Sequence, residues 1–137
     1  MCGIAGYIEL HSLAKEEVIE SMTNAIAHRG PDGFGHKLFE NVAIGHRRLS
    51  IIDLESGHQP MCDVTAKLWI TYNGELYNYI EIRNELIALG YRFYSQSDTE
   101  VILQAFAQWH TKALDRFKGM FAFALYDTKQ KYIYFCR

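Results

Sequence analysis

Cysteine is scarce in this sequence: three residues, at positions 2, 62 and 136. An odd, widely spaced set is neither a disulfide framework nor a zinc ribbon, and it suits a reducing compartment. The six histidines include no His-Glu-x-x-His pair and none at ligand spacing from a cysteine, so no metal is expected. Charge of one sign is also lacking, since 14 basic residues face 16 acidic ones for a formal net charge of -2. With no basic run beyond Arg47-Arg48, a nucleic-acid backbone is not an expected partner. The longest apolar stretch, Met120 to Tyr126, falls far short of the ~20 residues that span a bilayer. The N-terminus has no signal-peptide pattern, so a cytoplasmic protein without membrane attachment is expected. Repeats, low-complexity tracts and interdomain linkers are absent as well.

What is present is 137 residues, 49% of them apolar and 22% charged, a size and balance that suit one domain with its own core. Cys2 to Glu9 reads as a strand at the extreme N-terminus. Val18, Ile19, Met22 and Ile26 recur at helical spacing within Ala14 to Ala27, and Gly30-Pro31 supplies the stop. Strands are expected on either side of Glu40-Asn41, a meander running through Ile52, and a polar loop from Glu55 to Asp63. Lys67 to Tyr72 reads as a strand ended by a sharp turn at Asn73-Gly74. Ile80, Leu86, Ile87 and Leu89 mark a second helix closed by Gly90, and Tyr91 to Tyr94 a short strand. Ser97-Asp98-Thr99-Glu100 has capping-box spacing, with Ser97 accepting the third backbone N–H and Glu100 reaching back. The helix so started carries Ile102, Ala105, Phe106 and Trp109 on one face, followed by a short helical turn near Ala113 to Phe117. Phe121 to Tyr126 and Tyr132 to Cys136 form a last hairpin around Asp127 to Lys131. Strand runs with helices between them imply an α+β fold of stacked layers.

Cys2 is the residue whose position invites chemistry. Removal of Met1 makes it the first residue, with a free α-amine beside its thiol. An α-amine has a pKa near 8, so a useful fraction is neutral at pH 7 and can take the thiol proton directly or through one water. No histidine partner is needed, and an acyl-thioester follows from the nucleophilicity of sulfur. Taken alone, a penultimate cysteine is more often an ordinary strand residue; Cys62 and Cys136 read simply as core or surface thiols.

The surrounding blocks change that balance. In order they are Cys2-Gly3-Ile4-Ala5-Gly6, His28-Arg29-Gly30-Pro31-Asp32, Arg48-Leu49-Ser50-Ile51-Ile52-Asp53, Tyr72-Asn73-Gly74-Glu75-Leu76-Tyr77-Asn78, Ser97-Asp98-Thr99-Glu100-Val101 and Gly119-Met120-Phe121-Ala122-Phe123. In this order and spacing the sequence resembles the class II glutamine amidotransferase domain of the N-terminal nucleophile hydrolase fold. The Arg-Gly-Pro-Asp and Asn-Gly-Glu-Leu-Tyr-Asn forms are similar to the glutamine-hydrolysing asparagine synthetase branch more than to the sugar-phosphate or phosphoribosyl-pyrophosphate amidotransferases.

The resemblance implies an αββα sandwich, two mainly antiparallel sheets between helix layers, and roles for particular residues. Cys2 would be the nucleophile, its α-amine the general base and later the acid for departing ammonia. The Asn73 amide and the Gly74 N–H would form the oxyanion hole, a donor pair worth several kcal/mol in a dry site; the glycine would keep a side chain clear of the scissile carbonyl. Arg48 would anchor the α-carboxylate of glutamine through its guanidinium fork, with Arg47 pointing the other way. Asp98 would meet the α-ammonium, with Glu75 lining the same end. An acid in a helix's first turn is also favoured by the helix dipole, and both roles can hold. Ile51 and Ile52 would contribute to the pocket or equally to β core. Arg29 and Asp32 would sit on a flap, not in the catalytic set. Tyr77 and Asn78 would face the exit for ammonia, although turn capping explains Asn78 as well.

The family domain continues past the last hairpin with an Arg-Asp-x-x-Gly segment and further strands, so residues 1–137 are expected to be one glutaminase domain incomplete at its C-terminus. An exposed hairpin edge there implies self-association or reduced stability. No cofactor is expected in these residues; ATP and Mg would serve only a synthetase domain, whose pyrophosphate loop is absent from the sequence. The expected partners are glutamine and that synthetase domain, which would amidate aspartate. Other readings are an inactive regulatory module, an acylase or autoprocessing peptidase, and an amidotransferase with a sugar or peptide acceptor. The pairing of Arg48 with Asp98 argues against the acylase, since together they read both ends of a free α-amino acid.

Overall fold

The computed structural model describes residues 2–49 and 57–137. After β1 (Gly3–Ile8) comes α1 (Glu16–Ala25), then a 3-10 turn at Ala27–Arg29, β2 (Gly33–Leu38) and β3 (Val42–Arg48). These strands form a three-stranded antiparallel sheet in the order β1-β3-β2. β3 is central and almost wholly buried because both of its faces are covered. Val42 and Ile44 pack with Tyr126 of the other sheet, while Gly45 lies against Ile19 and Thr23 of α1. Ile19 and Thr23, four residues apart, are the buried residues of α1, and the Thr23 hydroxyl donates back to the Ile19 carbonyl at 2.9 Å.

The second sheet has the order β4-β5-β6-β7, from Met61–Cys62, Leu68–Leu76, Gly119–Asp127 and Tyr132–Cys136. Its outer face is covered by α2 (Tyr79–Ala88) and α3 (Asp98–Trp109). The core there joins Ile70, Tyr72, Leu76, Phe123 and Leu125 of the sheet to Leu86 of α2 and to Ile102 and Phe106 of α3. The first nine residues of α3 are all buried, so it is the central helix of that layer. The result is the expected αββα layering. Among the described residues no helix is long and apolar enough to cross a membrane.

Several local expectations are corrected. The strand expected to stop at Tyr72 runs on through Asn73-Gly74 to Leu76, because β6 pairs with it along that whole length. No strand forms at residues 91–94; that segment instead packs Tyr91 and Phe93 onto the core. Ser97 does cap α3, but its Oγ accepts from the Thr99 N–H at 3.1 Å. Glu100 does not close a capping box: its buried carboxylate accepts from the backbone N–H of Tyr94 (2.9 Å) and of Ser95 (2.7 Å) and from the Ser95 hydroxyl. The polar loop also hides the short strand β4. α2 is closed as expected, by Gly90 at φ +95°, a conformation that favours glycine. β7 is an edge strand with Tyr132 and Phe135 exposed.

Candidate active site

Cys2 stands immediately before β1, half-buried. Its Sγ accepts from the Leu49 N–H at 3.3 Å and lies 3.5 Å from the Leu49 carbonyl oxygen, toward which the thiol donates. The Cys2 carbonyl accepts from Arg29 Nε at 3.1 Å. The pairing of Gly3 with Arg47 then fixes the start of β1 beside the end of β3.

Arg48 ends β3 and is buried. The Arg-Gly-Pro-Asp loop buttresses it: the Asp32 N–H donates to the Arg48 carbonyl at 3.0 Å, and Pro31 forms a bridge with Arg48. Gly30 permits this, since a Cβ there would lie 2.4 Å from the Arg47 carbonyl carbon and oxygen. Arg47 points the opposite way, donating to the Thr23 carbonyl at 2.9 Å and to Asn24, with its guanidinium over the Phe34 ring. The strand alternation read from the sequence therefore separates the two arginines.

β5 supplies the facing wall. In an antiparallel ladder the backbone groups of alternate residues point to opposite neighbours. The Tyr72 N–H donates to Gln59 Oε1 at 2.6 Å and the Leu76 N–H to Asp98 Oδ2 at 3.0 Å, both off the edge away from β6. Gly74 lies midway between them, so its N–H points off the same edge. The Thr71 hydroxyl reaches the Gly45 carbonyl of the first sheet at 3.0 Å, and Asn73, two residues on, shares that face. The need for glycine at 74 has a different cause from the one expected. There is no turn; a Cβ would lie 2.4 Å from the Met120 carbonyl oxygen and 2.5 Å from Phe121 Cα, so the close approach of β6 demands it.

Asp98 opens α3 and is buried. Its Oδ2 accepts from the Tyr72 hydroxyl at 2.7 Å and from the Leu76 N–H. Burial raises its pKa above the usual carboxylate range, against the lowering effect of these two bonds, and the nearby Glu75 charge adds to the rise. Burial, reinforced by the Asp98 charge, raises the Tyr72 phenol in turn, so Tyr72 is a hydroxyl donor at any ordinary pH.

Cys2, Arg48, Asn73, Gly74, Glu75 and Asp98 line one cleft of about 180 Å³, a small volume compared with ligand pockets of drug size. Four segments distant in sequence thus bring these six residues together. Ile51 and Ile52 lie outside the described residues. The cleft also contains Leu49, Tyr72, Thr99 and Met120, which stand in the motif blocks without an assigned role, and Gln59, which lies outside them. Gln59 lies in the segment read as a polar loop, and Tyr72 opens a motif block but has no role legible in the sequence; only tertiary contact brings both to the site. A larger void of about 360 Å³ lies between the sheets, lined by residues such as Ile4, Ile44, Phe123 and Phe135, and it presents no paired acid and base.

Neighbouring residues play supporting parts. Asn78 Nδ2 donates to the Arg116 carbonyl and its Oδ1 accepts from the Lys118 N–H, both at 2.9 Å. It thereby ties the end of β5 to the start of β6. Tyr77 is exposed.

Residues 1–137 match the model of the glutamine amidotransferase domain family. Asparagine synthetase [glutamine-hydrolyzing] 1 of Bacillus subtilis (strain 168) is 45% identical over 141 residues, covering 100% of this chain and 22% of that protein. Asparagine synthetase [glutamine-hydrolyzing] 3 of the same organism is 38% identical, covering 100% of this chain and 23% of that protein. The chain therefore spans under a quarter of the length of these relatives. Among solved structures, the B. subtilis glutamine phosphoribosylpyrophosphate amidotransferase complexed with ADP and GMP superposes with a TM-score of 0.68 at 21% identity, over 93% of this chain and 35% of that one. That likeness carries the fold, the N-terminal nucleophile hydrolase sandwich. The match over every residue, together with whole-chain relatives at up to 45% identity among those named here, places this chain in the glutamine amidotransferase domain family.

Proposed function

We propose that the cleft hydrolyses the side-chain amide of glutamine, with Cys2 as nucleophile once Met1 is removed. The α-amine takes the thiol proton, and sulfur bonds to the amide carbon of glutamine as the carbonyl electron pair moves onto oxygen. Asn73 and the Gly74 N–H stabilise that oxyanion; donors of this kind are each worth about 10²–10³ in rate. Collapse breaks the carbon–nitrogen bond, ammonia leaving with the proton returned by the α-ammonium. Water then splits the thioester to give glutamate and free thiol. Arg48 and Asp98 hold the α-carboxylate and α-ammonium, which selects a free amino acid by both of its charges.

The observation that carries this reading is the convergence of Cys2, Arg48, Asn73-Gly74 and Asp98 on one cleft. The named relatives are glutamine-hydrolysing asparagine synthetases, which favours aspartate as the final acceptor of the ammonia. In that reading a synthetase domain, with ATP and Mg, performs the amidation. The test is intact mass after incubation with an electrophilic glutamine analogue. One adduct is expected on protein lacking Met1 and none on Cys2→Ala; an adduct on Cys2→Ala, or none on the processed wild type, refutes the assignment.

A further inference from the structure

The residue that precedes the oxyanion pair is held with unusual completeness. Beyond β4, which pairs only with Trp69 and Ile70, no strand among the described residues covers the outer edge of β5 at Tyr72. Two side chains take the place of that strand. The Tyr72 N–H is met by Gln59 Oε1 at 2.6 Å, and the Tyr72 carbonyl by His46 Nε2 at 3.0 Å. A carbonyl only accepts, so the proton sits on Nε2. Nδ1 is buried and has no partner among the described residues, which fits the same neutral tautomer. His46 is buried on β3, two residues before Arg48 and on the same face. Its hydrogen bond therefore crosses from the sheet that carries Arg48 to the sheet that carries Asn73 and Gly74.

Resting on the glutaminase reading above, we infer that His46 and Gln59 are positioning residues: His46 holds the Tyr72–Asn73 peptide by its carbonyl and Gln59 the preceding peptide by the Tyr72 N–H, and together they fix the Tyr72 backbone and hence the oxyanion donors relative to Cys2 and Arg48. Neither touches the reacting atoms in this role. The Tyr72 carbonyl belongs to the peptide whose nitrogen is that of Asn73, so a tilt there turns both the Asn73 side chain and the next N–H, that of Gly74. Nearby Thr71 offers an internal comparison. Its hydroxyl also bridges the sheets, to the Gly45 carbonyl, but it grips no backbone group of Tyr72.

The test compares full-length protein lacking Met1 with His46→Leu, His46→Gln, Gln59→Leu and Thr71→Val in glutamine hydrolysis and in urea unfolding. His46→Leu and Gln59→Leu are expected to lower kcat about 10- to 100-fold, short of deleting a donor outright, with little change in KM because both ends of glutamine remain bound. His46→Gln, which restores an N–H donor, is expected to recover part of the loss. Thr71→Val is expected to lower stability but not kcat. Normal kcat in Gln59→Leu and in folded His46→Leu overturns the inference, as does a kcat loss in Thr71→Val equal to theirs. If His46→Leu does not fold, Gln59→Leu decides, since Gln59 is only partly buried. A wild type that releases no glutamate and takes no Cys2 adduct overturns the glutaminase reading itself, and this inference with it.

Discussion

Gly74→Ala isolates the geometry of the segment proposed to bind the oxyanion. The added Cβ would lie 2.4 Å from the Met120 carbonyl oxygen and 2.5 Å from both Phe121 Cα and Phe121 Cβ. Ordinary carbon contacts start near 3.5 Å, so β5 and β6 must part by about an ångström. Two of the three obstacles are backbone atoms that no rotamer change can remove. Overpacking of this kind costs typically 1–3 kcal/mol. Replacing a strand glycine would otherwise stabilise by about 0.5–1 kcal/mol, so a net loss of about 1–2 kcal/mol is expected. The same displacement moves the Gly74 N–H, and a misplacement of about 1 Å costs on the order of 10²-fold in rate. Urea unfolding with glutaminase kinetics reads both: a lowered midpoint with an unchanged slope, and kcat reduced about a hundredfold with KM little altered. A Gly74→Ala protein with wild-type stability and kcat would show that β6 does not confine this position, and would refute the argument.

Two further outcomes follow from the cleft. Arg48→Lys keeps the charge but loses the fork that donates to both carboxylate oxygens. KM for glutamine is expected to rise about 10- to 100-fold, and an unchanged KM would remove Arg48 from substrate binding. Acid stability reports on His46, whose pKa is lowered from 6.5 to about 4, chiefly by burial and further by the Arg48 charge, although its bond to Tyr72 raises it. Between those values the unfolded chain binds the extra proton, so stability is full above pH 6.5, declines as the pH falls, and levels off below about 4. The 2.5-unit span corresponds to roughly 3 kcal/mol. Asp98, with its pKa raised by burial, takes up a proton more readily folded than unfolded and partly offsets the loss at the acid end. The stability difference between wild type and His46→Gln, followed from pH 7.5 to 4, should therefore shrink toward acid; a constant difference contradicts the neutral, buried histidine.

The elements and the chemical cast were legible in the sequence because both follow local rules. Helical spacing located α1 to α3, and alternation sent Arg47 and Arg48 to opposite faces. The ordered blocks single out Cys2, Arg48, Asn73, Gly74, Glu75 and Asp98 by residue type and position alone. Errors arose where a local signal met a tertiary demand. Asn73-Gly74 is a strong turn dipeptide, yet β6 along its flank holds it extended, and the glycine answers to that neighbour rather than to φ. Ser97 and Glu100 have capping-box spacing, yet Glu100 is drawn to the backbone of Tyr94 and Ser95, where a buried carboxylate finds more donors.

Sequence alone singled out the groups for which glutaminase roles are proposed: the thiol of Cys2, the guanidinium of Arg48, the amide of Asn73 beside Gly74, and the acid Asp98 at a helix start. Their pattern depends on residue type and spacing, which are written in one dimension. Only the tertiary structure decided how these groups are held. Past β4, where no strand among the described residues pairs with it, the outer edge of β5 must satisfy its N–H and C=O groups from elsewhere, and Gln59, His46 and Asp98 reach it from three separate segments. Hydrogen bonds between residues 13 to 26 positions apart have no period to betray them, because it is the stacking of one sheet on another and of a helix on a sheet that brings their ends together.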